Sequence, residues 1–237
     1  MKKYIICAFV LSLSNLQAQS ISTGLDAQTN IDALGTDNLN GMVRKFDTRY
    51  EGVRGTPYLV NYWNTGTIVL KGGKSLVNVP VKIDLFGYEI ISKRMSGDSI
   101  IVKAASIDKV MLTDAVTSQP HVFKKWQDMG LAKAGYADVL YEGNYWLIVD
   151  RKKTLVKANY QGGYSAYRPY DEFIDEVSYY VKKTDQSPEK IKLTRKSILE
   201  LFPSHQQELK NFISQQQIDF REVNQVGTIF KFYDTLQ

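Results

Sequence analysis

The residue pattern predicts a β-rich α+β protein: antiparallel meanders in curved sheets, arranged as a sandwich or a partial barrel, with a small C-terminal helical subdomain. Three observations carry that prediction. Residues 77 to 85 alternate apolar and polar side chains in period two. The segments around them are short, rich in β-branched and aromatic residues, and separated by turn residues. After residue 193 the apolar spacing becomes helical. Closely spaced strand segments without helical stretches between them argue against a doubly wound α/β fold.

The chain opens with Met1-Lys2-Lys3, an apolar run from Tyr4 to Leu11, and Leu16-Gln17-Ala18, the layout of a secretory signal peptide over residues 1 to 18. The apolar run is about half the ~20 residues that a spanning helix needs, so a mature chain without a transmembrane span is expected. Cys7, the only cysteine, lies in this segment, which leaves the mature chain free of thiols and disulfides. Cleavage after Ala18 removes Lys2 and Lys3 and takes the formal charge from +5 to +3. Basic residues are interleaved with acidic ones, which argues against a nucleic-acid partner. An exported domain with no cysteine and no Asn-x-Ser/Thr triplet points to a bacterial envelope: the periplasm, the outer membrane or the medium.

Residues 19 to 45, rich in Gln, Ser, Thr, Asn, Asp and Gly, read as a flexible leader. A first β region spans residues 46 to 113. Thr67 to Lys71 is joined by Gly72-Gly73, a hairpin signal, to Val77, Val79, Val81, Ile83 and Leu85, which form one buried face alternating with Asn78, Pro80, Lys82 and Asp84. Pro80 lacks a ladder donor and so predicts an edge position or a bulge. Tyr88 to Lys93, Ser99 to Ala104 and Ile107 to Leu112 continue the meander. A second β region spans residues 114 to 193 and begins with a less regular stretch to Gly135. Val139 to Glu142, Tyr145 to Asp150, Thr154 to Ala158, Val177 to Lys182 and Lys190 to Leu193 are its strands, with a turn at Arg151 to Lys153. Trp146 falls on the opposite face from Tyr145, Leu147 and Val149, so two faces need cover, one of them from the helices.

Residues 194 to 237 read as C-terminal helices. Thr194 caps Arg195 to Phe202, which Pro203 stops; Ser204 caps a second helix bearing Leu209, Phe212 and Ile213; Asp219 caps a third bearing Val223, Val226, Phe230 and Tyr233. Such short helices need a surface to pack on.

The chemistry is bounded mainly by inventory. Two histidines, His121 and His205, far apart in sequence, and no mature cysteine rule out a Cys-His dyad or a thiolate zinc site. His205 and Glu208 share a helix face but read as a solvated helix start. Asp171 to Glu176 is the densest acidic stretch; Asp171 and Asp175 on one helix turn have the oxygen chemistry for calcium, yet the run reads more simply as a solvated loop or helix start. No metal site and no cofactor is predicted. The most unusual composition is Tyr160 to Tyr170, where Tyr160, Tyr164, Tyr167, Arg168 and Tyr170 are the candidate ligand-binding residues. Such rings either present amphipathic surfaces for recognition or fold back over the end of a sheet. Trp63, Trp126 and Trp146 carry the same two readings.

Tyr50-Glu51-Gly52-Val53-Arg54-Gly55-Thr56-Pro57-Tyr58-Leu59, followed by Trp63, Gly66 to Leu70 and Asn78 to Lys82, resembles the opening of a group of uncharacterised exported proteins of Gram-negative bacteria. Ser197 to Pro203, with Leu209, Phe212, Ile213, Phe232 and Tyr233, is similar to their helical tail. The resemblance implies export and a β-then-helix layout, and it carries no activity to any residue. The expected function is a non-enzymatic binding or assembly module of the envelope that contacts a glycan, peptide or envelope protein. The alternatives are a hydrolase acting on glycans through converging carboxylates and a lipid carrier.

Overall fold

The structure, a computed structural model, describes residues 21–22, 29, 31, 43–44, 49–159 and 169–237. The strands are β1 (Ile21–Ser22), β2 (Val43–Arg44), β3 (Asn64–Leu70), β4 (Ser75–Asp84), β5 (Glu89–Lys93), β6 (Ser99–Val102), β7 (Ile107–Thr113), β8 (Pro120–Lys125), β9 (Tyr136–Tyr141), β10 (Tyr145–Val156), β11 (Glu172–Lys183) and β12 (Glu189–Ile191). The helices are α1 (Arg195–Leu201), α2 (Gln206–Gln215) and α3 (Val223–Asp234). The strands form one open sheet in the order β12-β11-β10-β9-β8-β7-β3-β4-β5-β6-β2, antiparallel throughout; β1 lies off this path, parallel to β4. The β-rich, antiparallel fold with a C-terminal helical part is therefore as the pattern predicts.

Connection lengths force the sheet to curl. β6 and β7 are four strand spacings apart in the sheet, about 19 Å if it were flat. The link between them contains a 3₁₀ turn, Ala104–Ser106, and spans only about 14 Å. A strap formed by residues 49 to 59 tightens the curl. Its Arg54 N–H donates to the Asp171 carbonyl and its carbonyl accepts from Phe173 N–H, both at 2.9 Å. A few residues on, Leu59 N–H donates to the Ile83 carbonyl at 2.9 Å and Leu85 N–H to the Pro57 carbonyl at 3.0 Å. Strands β11 and β4 are six spacings apart in the sheet order, about 29 Å if flat, whereas Arg54 to Tyr58 reaches at most about 14 Å. Tyr50, Phe86 and Phe173 meet edge to face at 5.2 to 5.8 Å where the strap closes. Gly55, at φ 82°, adopts a left-handed conformation against Phe173, whose carbonyl oxygen would lie 3.3 Å from an added Cβ.

The concave face carries two apolar clusters. The first, at the β3–β8 end, contains Ile68, Leu76, Val79, Val81, Ile83, Val110, Leu112 and Phe123, together with the fully buried Ile31. The second packs Leu147 and Val181 against Ile198, Phe202, Leu209, Ile213, Val226, Phe230 and Tyr233 of the helical part. On the other face Trp126, Met129, Ala137, Val139 and Ile148 form a third cluster, against which Trp146 packs. Both faces of β10 are thus covered, and the helices cover the one bearing Leu147.

Several local expectations change. Val77 turns away from the buried row and Leu76 enters it, because the β3–β4 register shifts between Gly66 and Ile68 and Asn78 takes φ 59° in a bulge. Pro80 sits on a central strand next to that bulge, not at an edge. Asp84 is buried beneath Arg49 and Tyr50 of the strap instead of facing water. Residues 113 to 135 include strand β8. Arg151 to Lys153 is not a turn, and residues 172 to 176 are neither loop nor helix. The two runs pair across β10 and β11, with Lys152 opposite Glu176 and Lys153 opposite Asp175, whose ion pair is 2.5 Å. Opposite charges facing across a ladder support strand pairing, and neither run shows this alone. Thr194 caps α1, accepting from Ser197 N–H at 3.2 Å. Ser204 instead falls inside a 3₁₀ turn begun by Pro203, and Asp219 closes a local turn by accepting from Arg221 N–H at 2.9 Å, so α3 begins only at Val223.

Candidate functional site

Between the first and second clusters the concave face turns polar. Strand alternation places Phe123 of β8, Asp138 of β9 and Val149 of β10 side by side, since Asp138 is the cross-strand partner of both others. His121 and Arg151 are the diagonal neighbours of Asp138 on its two flanks. His121 Nδ1 lies 2.7 Å and Arg151 Nε 3.1 Å from Asp138 Oδ2, and Val122 N–H donates to Oδ1 at 3.3 Å. Asp138 is 0% exposed, and a carboxylate so placed is stable only when paired and hydrogen-bonded. An ionised carboxylate only accepts, so the proton of this contact is on Nδ1. The Arg151 terminal nitrogens have no other partner among the described residues.

The turn after β7 forms the adjoining wall. Asp114 Oδ1 accepts from Val116 N–H at 2.9 Å and Thr117 N–H at 2.7 Å, and the Tyr62 hydroxyl lies 2.8 Å from both carboxylate oxygens. The Thr117 amide above all, followed by the Tyr62 hydroxyl and the Val116 amide, outweighs desolvation and lowers the Asp114 carboxyl to about 2. The same bond raises the Tyr62 phenol above its ordinary value. Asn64, also buried, accepts from Ala115 N–H at 3.0 Å and fixes the turn to β3.

These groups border a pocket of about 280 Å³. Leu59, Val60, Pro120 and Leu140 are its apolar walls; Asp114, Thr117, Gln119, His121, Arg151 and Asn224 are its polar ones. Asn224, in the first turn of α3, donates to Gln119 Oε1 at 2.6 Å and ties the helical part to the turn after β7. Two larger depressions of about 730 and 670 Å³ share Thr67 and Met111, and the second also borders Asp114, Pro120 and His121 of the smaller pocket. The rim charges of the first include the mutual pair Lys71–Asp128 at 3.5 Å. The smaller pocket is bordered by both His121 and Arg151, the two side chains that meet the buried Asp138, the arrangement that marks a site.

Of the candidate residues from the tyrosine-rich stretch, Tyr160, Tyr164, Tyr167 and Arg168 lie outside the described residues. Tyr170 accepts a hydrogen bond from Arg54 Nη1 at 2.5 Å, with the guanidinium 4.9 Å from its ring centroid, at the point where the strap meets β11. Asp171 binds Lys157 at 2.8 Å and Ala158 N–H at 2.7 Å, and Asp175 binds Lys153, so both candidate calcium ligands have internal partners. His205 Nδ1 is 3.9 Å from Glu208 at the start of α2. Trp126 is buried, Trp146 lies beneath the ammonium groups of Lys124 and Lys182 at 4.6 and 5.1 Å, and Trp63 lies beneath Lys82 at 5.2 Å.

The sequence reading missed the His121–Asp138–Arg151 group because His121 fell in the stretch read as irregular and Arg151 in a presumed turn. One signal was present: Arg151 continues the Leu147, Val149 alternation, which places it on the concave face. The chain matches no protein-family model, no curated protein and no solved structure.

Proposed function

We propose that the protein is an exported, non-enzymatic binding or assembly module of a Gram-negative envelope, in the periplasm or at the outer membrane, and that it engages its partner through the pocket between the two clusters. The observation behind this reading is the division of labour among its polar groups. Arg151, His121, Gln119 and Asn224 border the cavity with hydrogen-bonding capacity to spare, whereas the nearby acids already accept bonds from the protein itself. General acid or base catalysis needs a carboxyl group able to exchange its proton with a substrate. Asp114 accepts from two amides and a phenol, and Asp138 lies under His121 and Arg151. The polar rim also favours a polar partner over a lipid chain. Export is supported by the basic, apolar and small-residue order of residues 1 to 18.

Purified full-length protein sedimented with washed Gram-negative envelopes tests the reading. The double variant Gln119→Ala, Asn224→Ala alters only exposed side chains at the pocket mouth and is expected to lower retention at least tenfold while keeping the native circular dichroism. Unchanged retention removes the pocket as the contact site. Fractionation of a tagged chain is expected to place it in the envelope with a shortened amino terminus; an intact amino terminus in the cytosol overturns export.

A further inference from the structure

Resting on that reading, we propose that the group held in this pocket is a neutral sugar ring, one unit of an envelope glycan. Charge decides first. Asp138 and Arg151 offset each other through their 3.1 Å contact, and Asp114 on the wall is held as a carboxylate by its amide and phenol donors. A ligand carboxylate or phosphate would meet that charge in a partly desolvated site. A cation gains little either, because the oxygens of Asp114 already accept from Val116, Thr117 and Tyr62.

The hydrogen-bonding pattern then selects hydroxyl groups. A hydroxyl both donates and accepts. The pocket offers donors from the free edge of the Arg151 guanidinium and a second ring nitrogen of His121, and the side-chain amides of Gln119 and Asn224 supply both donors and acceptors at the mouth. Buried donors and acceptors that stay unmatched cost binding free energy, so a ligand of one polarity is rejected. Leu59, Val60, Pro120 and Leu140 supply the apolar surface on which the C–H face of a sugar ring can rest. A volume of about 280 Å³ is at the small end of ligand pockets, in keeping with one ring entering and the rest of the chain lying outside.

The test is calorimetric titration of the full chain with neutral trisaccharides built from hexose, N-acetylhexosamine and 6-deoxyhexose units, and with trigalacturonic acid as the acidic comparison. At least one neutral trisaccharide is expected to bind saturably and at least tenfold more tightly than the acidic one. Arg151→Lys, which keeps a cation beside Asp138 but loses the fork, is expected to weaken that binding at least tenfold without a change in melting temperature. Nitrogen-15 shifts of the His121 ring should move on saturation. Equal or tighter binding of the acidic trisaccharide, no saturable binding by any neutral one, or binding that leaves His121 unmoved overturns the proposal. Envelope retention that depends on the pocket, combined with no neutral-sugar binding, would defeat the sugar assignment alone. Retention that is indifferent to the pocket would defeat the broader reading.

Discussion

At the β3–β8 end of the concave face the first cluster is enclosed by strand curvature and by a strap whose backbone bonds reach β4 and β11; at the β9–β11 end the second cluster lies under three short helices. The first enclosure spreads its hold over many ladder bonds. The second depends heavily on Phe202, whose ring meets Tyr145 at 5.0 Å, Phe230 at 5.4 Å and Tyr233 at 4.1 Å. The same contrast appears in two aspartates that each cap a turn with two backbone amides. Asp84, under the strap, has its pKa raised, chiefly by burial, even though the Gly87 and Phe86 amides and Arg49 favour its charge. Asp114, beside the pocket, is lowered to about 2 because the Thr117 amide above all, with the Tyr62 phenol and the Val116 amide, outweighs its desolvation. Asp84 has donors of the same kinds, two amides and the Tyr50 phenol, with Arg49 in addition. The sign is therefore set by the balance: desolvation outweighs the donors at Asp84, and the donors outweigh desolvation at Asp114.

Four measurements can break or sharpen this contrast. Phe202→Ala is expected to have the largest effect, a loss of about 3–5 kcal/mol of stability in denaturant unfolding. Hydrogen-exchange protection should fall first in β10 and β11 and last in β4 and β5; an equal fall in all four strands would show that the two ends do not differ. Next in size, Asp114→Asn removes the charged acceptor of the Tyr62 hydroxyl and should cost about 1–2 kcal/mol at neutral pH. Because the folded pKa of Asp114 is depressed, its contribution is present above the ordinary carboxylate value and is lost as pH falls from about 4 toward 2. Acid unfolding curves should therefore show a stability loss in that window for the wild type that the variant lacks.

Asp84→Asn should cost less than about 1 kcal/mol, since an amide oxygen can still accept from Phe86 and Gly87 while the cost of a buried charge disappears. Here the sign is reversed. A raised folded pKa gives a contribution that is full below the ordinary carboxylate value and is lost as pH rises through the folded one. Melting temperature followed upward from pH 4 should decline less in the variant, and an identical pH profile would reject the account. The smallest effect is a gain. Gly227 sits inside α3 with open space where a Cβ would stand, so Gly227→Ala should add about 0.5–1 kcal/mol in thermal unfolding.

How much was legible in the sequence depended on whether the signal lay within one element or between two. The buried row from Val79 to Leu85, the glycine hairpin after β3, the Thr194 cap and the stripe of α3 were legible because each rests on a period or a local bond. The bulge at Asn78 was not, because a register shift is visible only against the partner strand. The strand character of 151 to 153 and of 172 to 176 was hidden because like charges in a row look solvated until the opposite row is seen beside them. Ser204 and Asp219 had the right chemistry for caps, yet a proline-initiated turn and a local bond to Arg221 used them first.

By itself the sequence determined the β-then-helix order, the buried row from Val79 to Leu85, and an inventory with one cysteine and two histidines. Those properties follow from side-chain periodicity and residue identity, which neighbours along the chain share. Only the tertiary structure decided that the sheet curls under a strap, that Asp138 lies between His121 and Arg151, and that Asn224 of the last helix meets Gln119. Each of these is a meeting of residues 13 to 118 positions apart in the chain, from His121 to Asp138, Arg54 to Glu172, Arg151 to Asp138 and Gln119 to Asn224. Curvature and register bring such residues together, and neither is written in any single segment.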